Sequence, residues 1–108
     1  RSDVSRTFTI KRGDTSPALR FAIEPESIDL TSATCTFQMR PRRGAILLDS
    51  AAVVEGISPP ILRYNWANGD TDATGVYEAE FRVTYSDGTV ETFPNSGFIS
   101  VVIKQDVR

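Results

Sequence analysis

Gly75-Val-Tyr-Glu-Ala-Glu-Phe-Arg-Val-Thr-Tyr85 alternates without a break. Tyr77, Ala79, Phe81, Val83 and Tyr85 fall on one side, and Glu78, Glu80, Arg82 and Thr84 on the other. A period of two, with aromatic and β-branched residues sharing a face, marks an antiparallel strand with one side buried and one wet. Ser86-Asp87-Gly88 follows, and then a second run, Thr89-Val-Glu-Thr-Phe93. Asp-Gly between two such runs predicts a hairpin closed by a two-residue type I′ turn, whose central positions both need positive φ. That turn pairs Tyr85 with Val90 and Val83 with Thr92. It leaves Pro94, which cannot donate to a ladder, near the strand end.

The same pattern extends outward from this hairpin. Thr7–Lys11 predicts a strand with Phe8 and Ile10 inward, and Arg12-Gly-Asp-Thr-Ser-Pro17 is a turn by composition. Residues 19–23 alternate with Leu19, Phe21 and Ile23 on one face, and residues 34–40 with Cys35, Phe37 and Met39. Residues 45–55 hold two short apolar runs around Asp49 and Ser50, which predict short strands, with a single helical turn as the alternative. Residues 61–66 place Leu62, Tyr64 and Trp66 together, and the last two are expected in the core. Residues 97–104 are apolar on both faces, so that strand is expected to be central or covered on both sides. Seven or eight short strands with regular turn signals predict an all-β fold, an immunoglobulin-like antiparallel β-sandwich. It forms a single domain over residues 1–108, with its core at about 7–104. Asp72-Ala-Thr-Gly75-Val-Tyr77 has the layout of a tyrosine corner, in which the phenol reaches back across the preceding loop. The structural residues expected to matter most are Phe37, Gly75, Tyr77, Phe81, Asp87 and Gly88.

Composition sets the limits on function. A chain of 108 residues buries roughly 65% of its unfolded surface, enough for one core. Its net charge of −2 supplies no global field for nucleic acid or an anionic membrane. No apolar run approaches the roughly 20 residues of a membrane span. One cysteine excludes an internal disulfide, which suits a reducing compartment or a particle assembled in one. The chain has no histidine, and so lacks the commonest general base and metal ligand. No secretory leader is legible.

Several constellations invite a chemical reading, and each has a plainer one. Arg12-Gly13-Asp14 spells an integrin-type tripeptide, but Gly and Asp also simply build turns. Asn68, Asp70 and Asp72 alternate around Gly69 as hard-cation loops do, yet no closing bidentate glutamate follows, and turn capping is expected instead. Glu24, Glu26 and Asp29 form an acidic loop. Arg40, Arg42 and Arg43 read as the charged rim of a protein–protein contact rather than as a phosphate site. Glu78 and Glu80, about 6.5–7 Å apart along a strand, have a glycosidase-like separation but no predicted cleft, and a cation on the next strand would satisfy them. Cys35 lies on an apolar face without an activating base. No enzyme, cofactor or metal site is expected.

In their order and spacing, Gly13-Asp14-Thr15, Asp29-Leu-Thr-Ser-Ala-Thr-Cys-Thr-Phe-Gln-Met-Arg40, Gly75 to Tyr85, Asp87-Gly88, Glu91-Thr-Phe-Pro94 and Phe98-Ile-Ser-Val101 resemble the N-terminal immunoglobulin-like domain of phage baseplate upper proteins of the BppU type. The likeness spans about residues 7–103. Ser32 stands where that family usually has glycine. The resemblance implies a virion structural protein of the tail, assembled in the host cytoplasm. Such a protein would dock onto other tail or baseplate subunits in several copies per particle, with no nucleic-acid or membrane partner. These residues contain no coiled coil or receptor-binding module, so the adaptor role is implied and host recognition is not. The alternative is a capsid-decoration or host-surface (glycan) adhesion module on the same fold. Arg40, Arg42, Arg43, Glu26 and Asp29 are the expected partner-binding residues.

Overall fold

The computed structural model describes residues 6–24, 27–42 and 44–107. Eight strands follow one another: β1 (Thr7–Lys11), β2 (Leu19–Ala22), β3 (Thr34–Pro41), β4 (Leu48–Ile57), β5 (Pro60–Tyr64), β6 (Gly75–Thr84), β7 (Val90–Phe93) and β8 (Ile99–Lys104). The order is β1-β8-β6-β3-β4-β5-β2, with β7 beside β6. Two layers result. β1, β8, β6, β3 and the first half of β4 form one, and the second half of β4 with β5 and β2 forms the other. The fold is a β-sandwich, antiparallel except where β1 runs parallel to β8, Thr7 opposite Ser100 through Lys11 opposite Lys104.

Alternation carries the core. Phe37 and Phe81 are completely buried on β3 and β6, and Leu62, Tyr64, Leu19 and Phe21 meet them from the other layer. The Tyr64 ring stacks on Phe37 at 4.4 Å and Trp66 meets it edge-on at 5.7 Å, so both aromatics belong to the core as expected. Tyr77 closes the corner: its hydroxyl donates to the Ala73 carbonyl at 2.7 Å. Gly75 precedes it at φ 146°, a backbone conformation that side chains disfavour.

Two sequence expectations need correction. The first is the hairpin turn. Tyr85 accepts from the Gly88 amide and donates its own amide to the Thr89 carbonyl, and of the loop residues only Gly88 has positive φ (89°). The loop therefore has three residues with a glycine bulge, not two in a type I′ turn. Asp87 holds this form, because its Oδ1 accepts from both the amide and the hydroxyl of Thr89 (2.9 and 2.6 Å). The register slips by one, with Thr84 opposite Val90 and Val83 opposite Glu91. A one-residue slip exchanges faces. Here it buries Phe93 and leaves Val90 outside, the larger apolar gain.

Second, residues 45–55 do not form two short strands or a helical turn. A single ten-residue strand, β4, runs through Asp49 and Ser50. Asp49 does not interrupt it because its carboxylate accepts from Gln38 Nε2 directly across the ladder at 3.0 Å. β4 passes from one layer to the other between Ala52, the last residue paired with β3, and Val53, the first paired with β5, and its ladder with β5 shifts register between Val54 and Gly56. β8 is central, as expected, lying between β1 and β6, with one face buried. Ile99, Val101 and Ile103 are buried, Val102 is half-buried and Phe98 is 46% exposed.

Ser32 turns the chain into β3 at φ 59°, with Ala33 donating to Leu30 across it. Glycine suits this left-handed position better than serine, which strains its backbone there. Ser32→Gly is expected to raise the unfolding free energy by about 0.5–1 kcal/mol, read by urea denaturation. A loss of stability would show that the turn tolerates the serine without strain.

Candidate docking surface

The outward residues of β3, β6 and β8 build one face. The registers align Arg40 with Glu78 and Ser100, and Gln38 with Glu80 and Asp49. Arg40 donates to Glu78 Oε1 through both Nε and Nη2 (3.3 and 3.1 Å), and its guanidinium lies over the Phe98 ring at 5.4 Å. An Arg on the neighbouring strand therefore answers Glu78, as the alternation suggested. Beside this pair a hollow of about 120 Å³ is lined by Arg40, Ile46, Glu78, Glu80, Arg82 and Phe98. Ile46 and Leu47 are 60% and 57% exposed, so the polar centre is flanked by unburied hydrocarbon. Gln38 donates to Asp49 and Thr36 while its Oε1 is buried without a partner.

The expected contact residues separate. Arg40 is central to this face, and Arg42 is exposed just past β3. Arg43 and Glu26 lie outside the described residues. Asp29 precedes the opposite end of β3, and the six-residue step from Thr34 to Arg40 alone spans about 20 Å. Asp29 Oδ1 accepts from the amide and hydroxyl of Thr31 (3.0 and 2.7 Å), and those bonds hold its carboxyl below the ordinary range. Asp29 thus caps a turn and is not part of the Arg40 face.

The other constellations take their plainer readings. Gly13 donates to both the carbonyl and the hydroxyl of Thr71, and that buried hydroxyl donates to the Asp14 carbonyl at 2.8 Å. The Arg12 guanidinium is held by Asp106 at 2.7 Å. The tripeptide thus ties the β1–β2 turn to the loop before β6. Asp70 Oδ2 accepts from the Tyr64 hydroxyl at 2.5 Å and the Ala67 amide at 2.8 Å, which is capping. Burial pushes the Cys35 thiol up to about 11, the opposite of activation. Among the described residues, no three acidic or cysteine side chains converge as a metal site would require. No helix among them is long and apolar enough to cross a membrane.

No protein-family profile matches this chain, and no curated protein is recognisably similar in sequence. Among solved structures, CopC from Methylosinus trichosporium OB3b superposes with a TM-score of 0.56 at 13% identity, over 98% of this chain and 89% of that one. At this identity the likeness shows the β-sandwich fold alone.

Phe98 and Ile46 were not among the residues singled out from sequence. Parity could have found Phe98: it is out of phase with Ile99, Val101 and Ile103 and in phase with Ser100, which the ladder sets beside Glu78. Ile46 carries no such signal, because it lies in the connection before β4.

Proposed function

We propose that this chain is a non-enzymatic structural protein of a bacteriophage virion, an adaptor of the tail or baseplate that docks in several copies onto neighbouring subunits. The single observation that supports docking through a defined face is the arrangement around Arg40: an arginine at the centre, exposed Phe98, Ile46 and Leu47 beside it, and Glu78, Glu80 and Arg82 around them. Protein interfaces favour this composition, with arginine and aromatic residues enriched at the contact and charges toward the rim. The tail and baseplate placement rests on the motif order described above. Glycan adhesion fits this face less well, since the Arg40 guanidinium already covers the Phe98 ring that a sugar would stack on.

The test is incorporation into particles. Phe98→Asp combined with Ile46→Asp is expected to cut incorporation at least about tenfold, as loss of an interface anchor does. The melting temperature should hold, because both side chains are exposed. Arg42→Glu is expected to act in the same direction more weakly. Undiminished incorporation of the double variant would remove this face from assembly. Cryo-electron microscopy density for the chain on the capsid would replace the tail with the head.

A further inference from the structure

A larger concavity lies elsewhere, along the opposite layer. A cleft of about 1250 Å³ runs beside β2, with residues 93–100 and the start of β1 forming its far wall. Leu19, Phe21, Phe93 and Ile99 contribute its apolar lining. Its volume exceeds the roughly 300–1,000 Å³ of small-molecule sites.

The backbone of β2 explains what would bind there. Among the described residues, β2 ends its layer and has a ladder only with β5. Just past that ladder, in the same register, the Ile23 amide donates to the Pro60 carbonyl at 3.0 Å. Hydrogen-bonded pairs alternate along an antiparallel ladder, so Phe21–Leu62 and Leu19–Tyr64 are the pairs that exchange bonds. Arg20 and Ala22 then turn their amides and carbonyls away from β5, to the side where the cleft lies. Above it, the Arg6 guanidinium sits 4.9 Å from the centre of the Phe21 ring, and among the described residues no carboxylate pairs with it. Arg20, by contrast, is held by Glu55 at 2.7 Å.

We propose that the free edge of β2 receives an extended segment of a partner protein as an added strand, apolar at alternate positions against Phe21 and Phe93, with an acidic residue facing Arg6. In such additions main-chain bonds supply affinity and alternate side chains supply specificity. The four residues of β2 match a partner stretch of about 13 Å. Residues 93–100 line the cleft opposite β2, and the cation of Arg6 above it favours a partner segment that carries a carboxylate. The proposal rests on the docking role above only for where the partner comes from.

The test uses amide hydrogen exchange, read by NMR on the 108-residue chain, with acetyl-Val-Ser-Asp-Ser-Val-amide, whose valines and aspartate share one face, and its lysine counterpart as probes. In the free chain the Arg20 and Ala22 amides should exchange readily while those of Leu19 and Phe21 are protected. The acidic peptide should slow Arg20 and Ala22 at least about tenfold, and the basic peptide less. Ala22→Pro removes an amide that β5 does not use and should abolish the effect at Arg20. Arg6→Glu, a surface change that leaves β2 intact, should reverse the preference to the basic peptide. Failure of the acidic peptide to protect these amides overturns the proposal. So does protection in the free chain: if it grows with protein concentration the occupant is a second copy, and if it does not the occupant is this chain's own backbone. Neither result touches the Arg40 face, and because Phe98 lines both hollows, Ile46→Asp alone is the incorporation variant that judges that face separately.

Discussion

Phe37→Ala is expected to lower the unfolding free energy by about 3–5 kcal/mol, the range for deleting a fully buried aromatic ring. Phe37 is where the two layers make their densest aromatic contact. Its ring is wholly buried, stacked on Tyr64 at 4.4 Å, edge-on to Trp66 at 5.7 Å and 5.1 Å from Phe81. Alanine removes the partner surface of three rings at once, and neighbours held in ladders on β3, β5 and β6 cannot close the void. Against the 5–15 kcal/mol typical of a whole domain, such a loss leaves little margin near body temperature. Urea denaturation is the measurement. A cost below about 1 kcal/mol with an unchanged m-value would mean that the layers do not pack through this residue.

Asp70→Ala comes second, at about 2 kcal/mol, because it leaves the hydroxyl of a buried tyrosine without its acceptor and also uncaps the Ala67 amide. A spectroscopic signature separates this from general loosening. Desolvation, reinforced by the hydrogen bond to Asp70, pushes the Tyr64 phenol up to about 12. Tyr85 is likewise pushed up to about 12, by desolvation and its bond to Glu91. Absorbance titration should therefore show Tyr64 and Tyr85 ionising late, and Asp70→Ala should bring Tyr64 alone back toward the ordinary value. The pH dependence has a definite sign. Above about pH 10 the unfolded chain releases these protons while the folded chain retains them. The stabilisation from the neutral phenols is complete below that pH and is lost as pH rises toward about 12. Calcium provides the opposing test of the same loop. Because both contacts use the carboxylate for capping, millimolar calcium should leave the melting temperature unchanged, and a rise of several degrees would restore the cation reading.

Legibility in the sequence followed the physics of each element. The strands around Phe21, Phe37 and Phe81 were readable because one face of each is buried and the other wet, which writes a period of two into the residues. β4 was not, because Asp49 and Ser50 are poor strand formers in isolation and only the Gln38 amide across the ladder reconciles Asp49 with a strand. The β6–β7 register depended on a competition that composition does not weigh: a turn set by Asp87 against the burial of Phe93 over Val90. Arg40 was readable as a surface cation, but its setting against Phe98 and Glu78 arises from pairing among three strands. The cleft beside β2 has no linear signature at all. It exists because one layer runs out of strands before the other does.

The parallel union of β1 with β8 also has a mechanical side. Thr7 lies beside Ser100 and Lys11 beside Lys104, so Arg6 and Gln105 lead away from opposite ends of one ribbon. A pull between those two points would load the cross-links of that ribbon in shear, sharing the force among them instead of peeling them apart singly. A chain strained between those points would thus resist by its stiffest route.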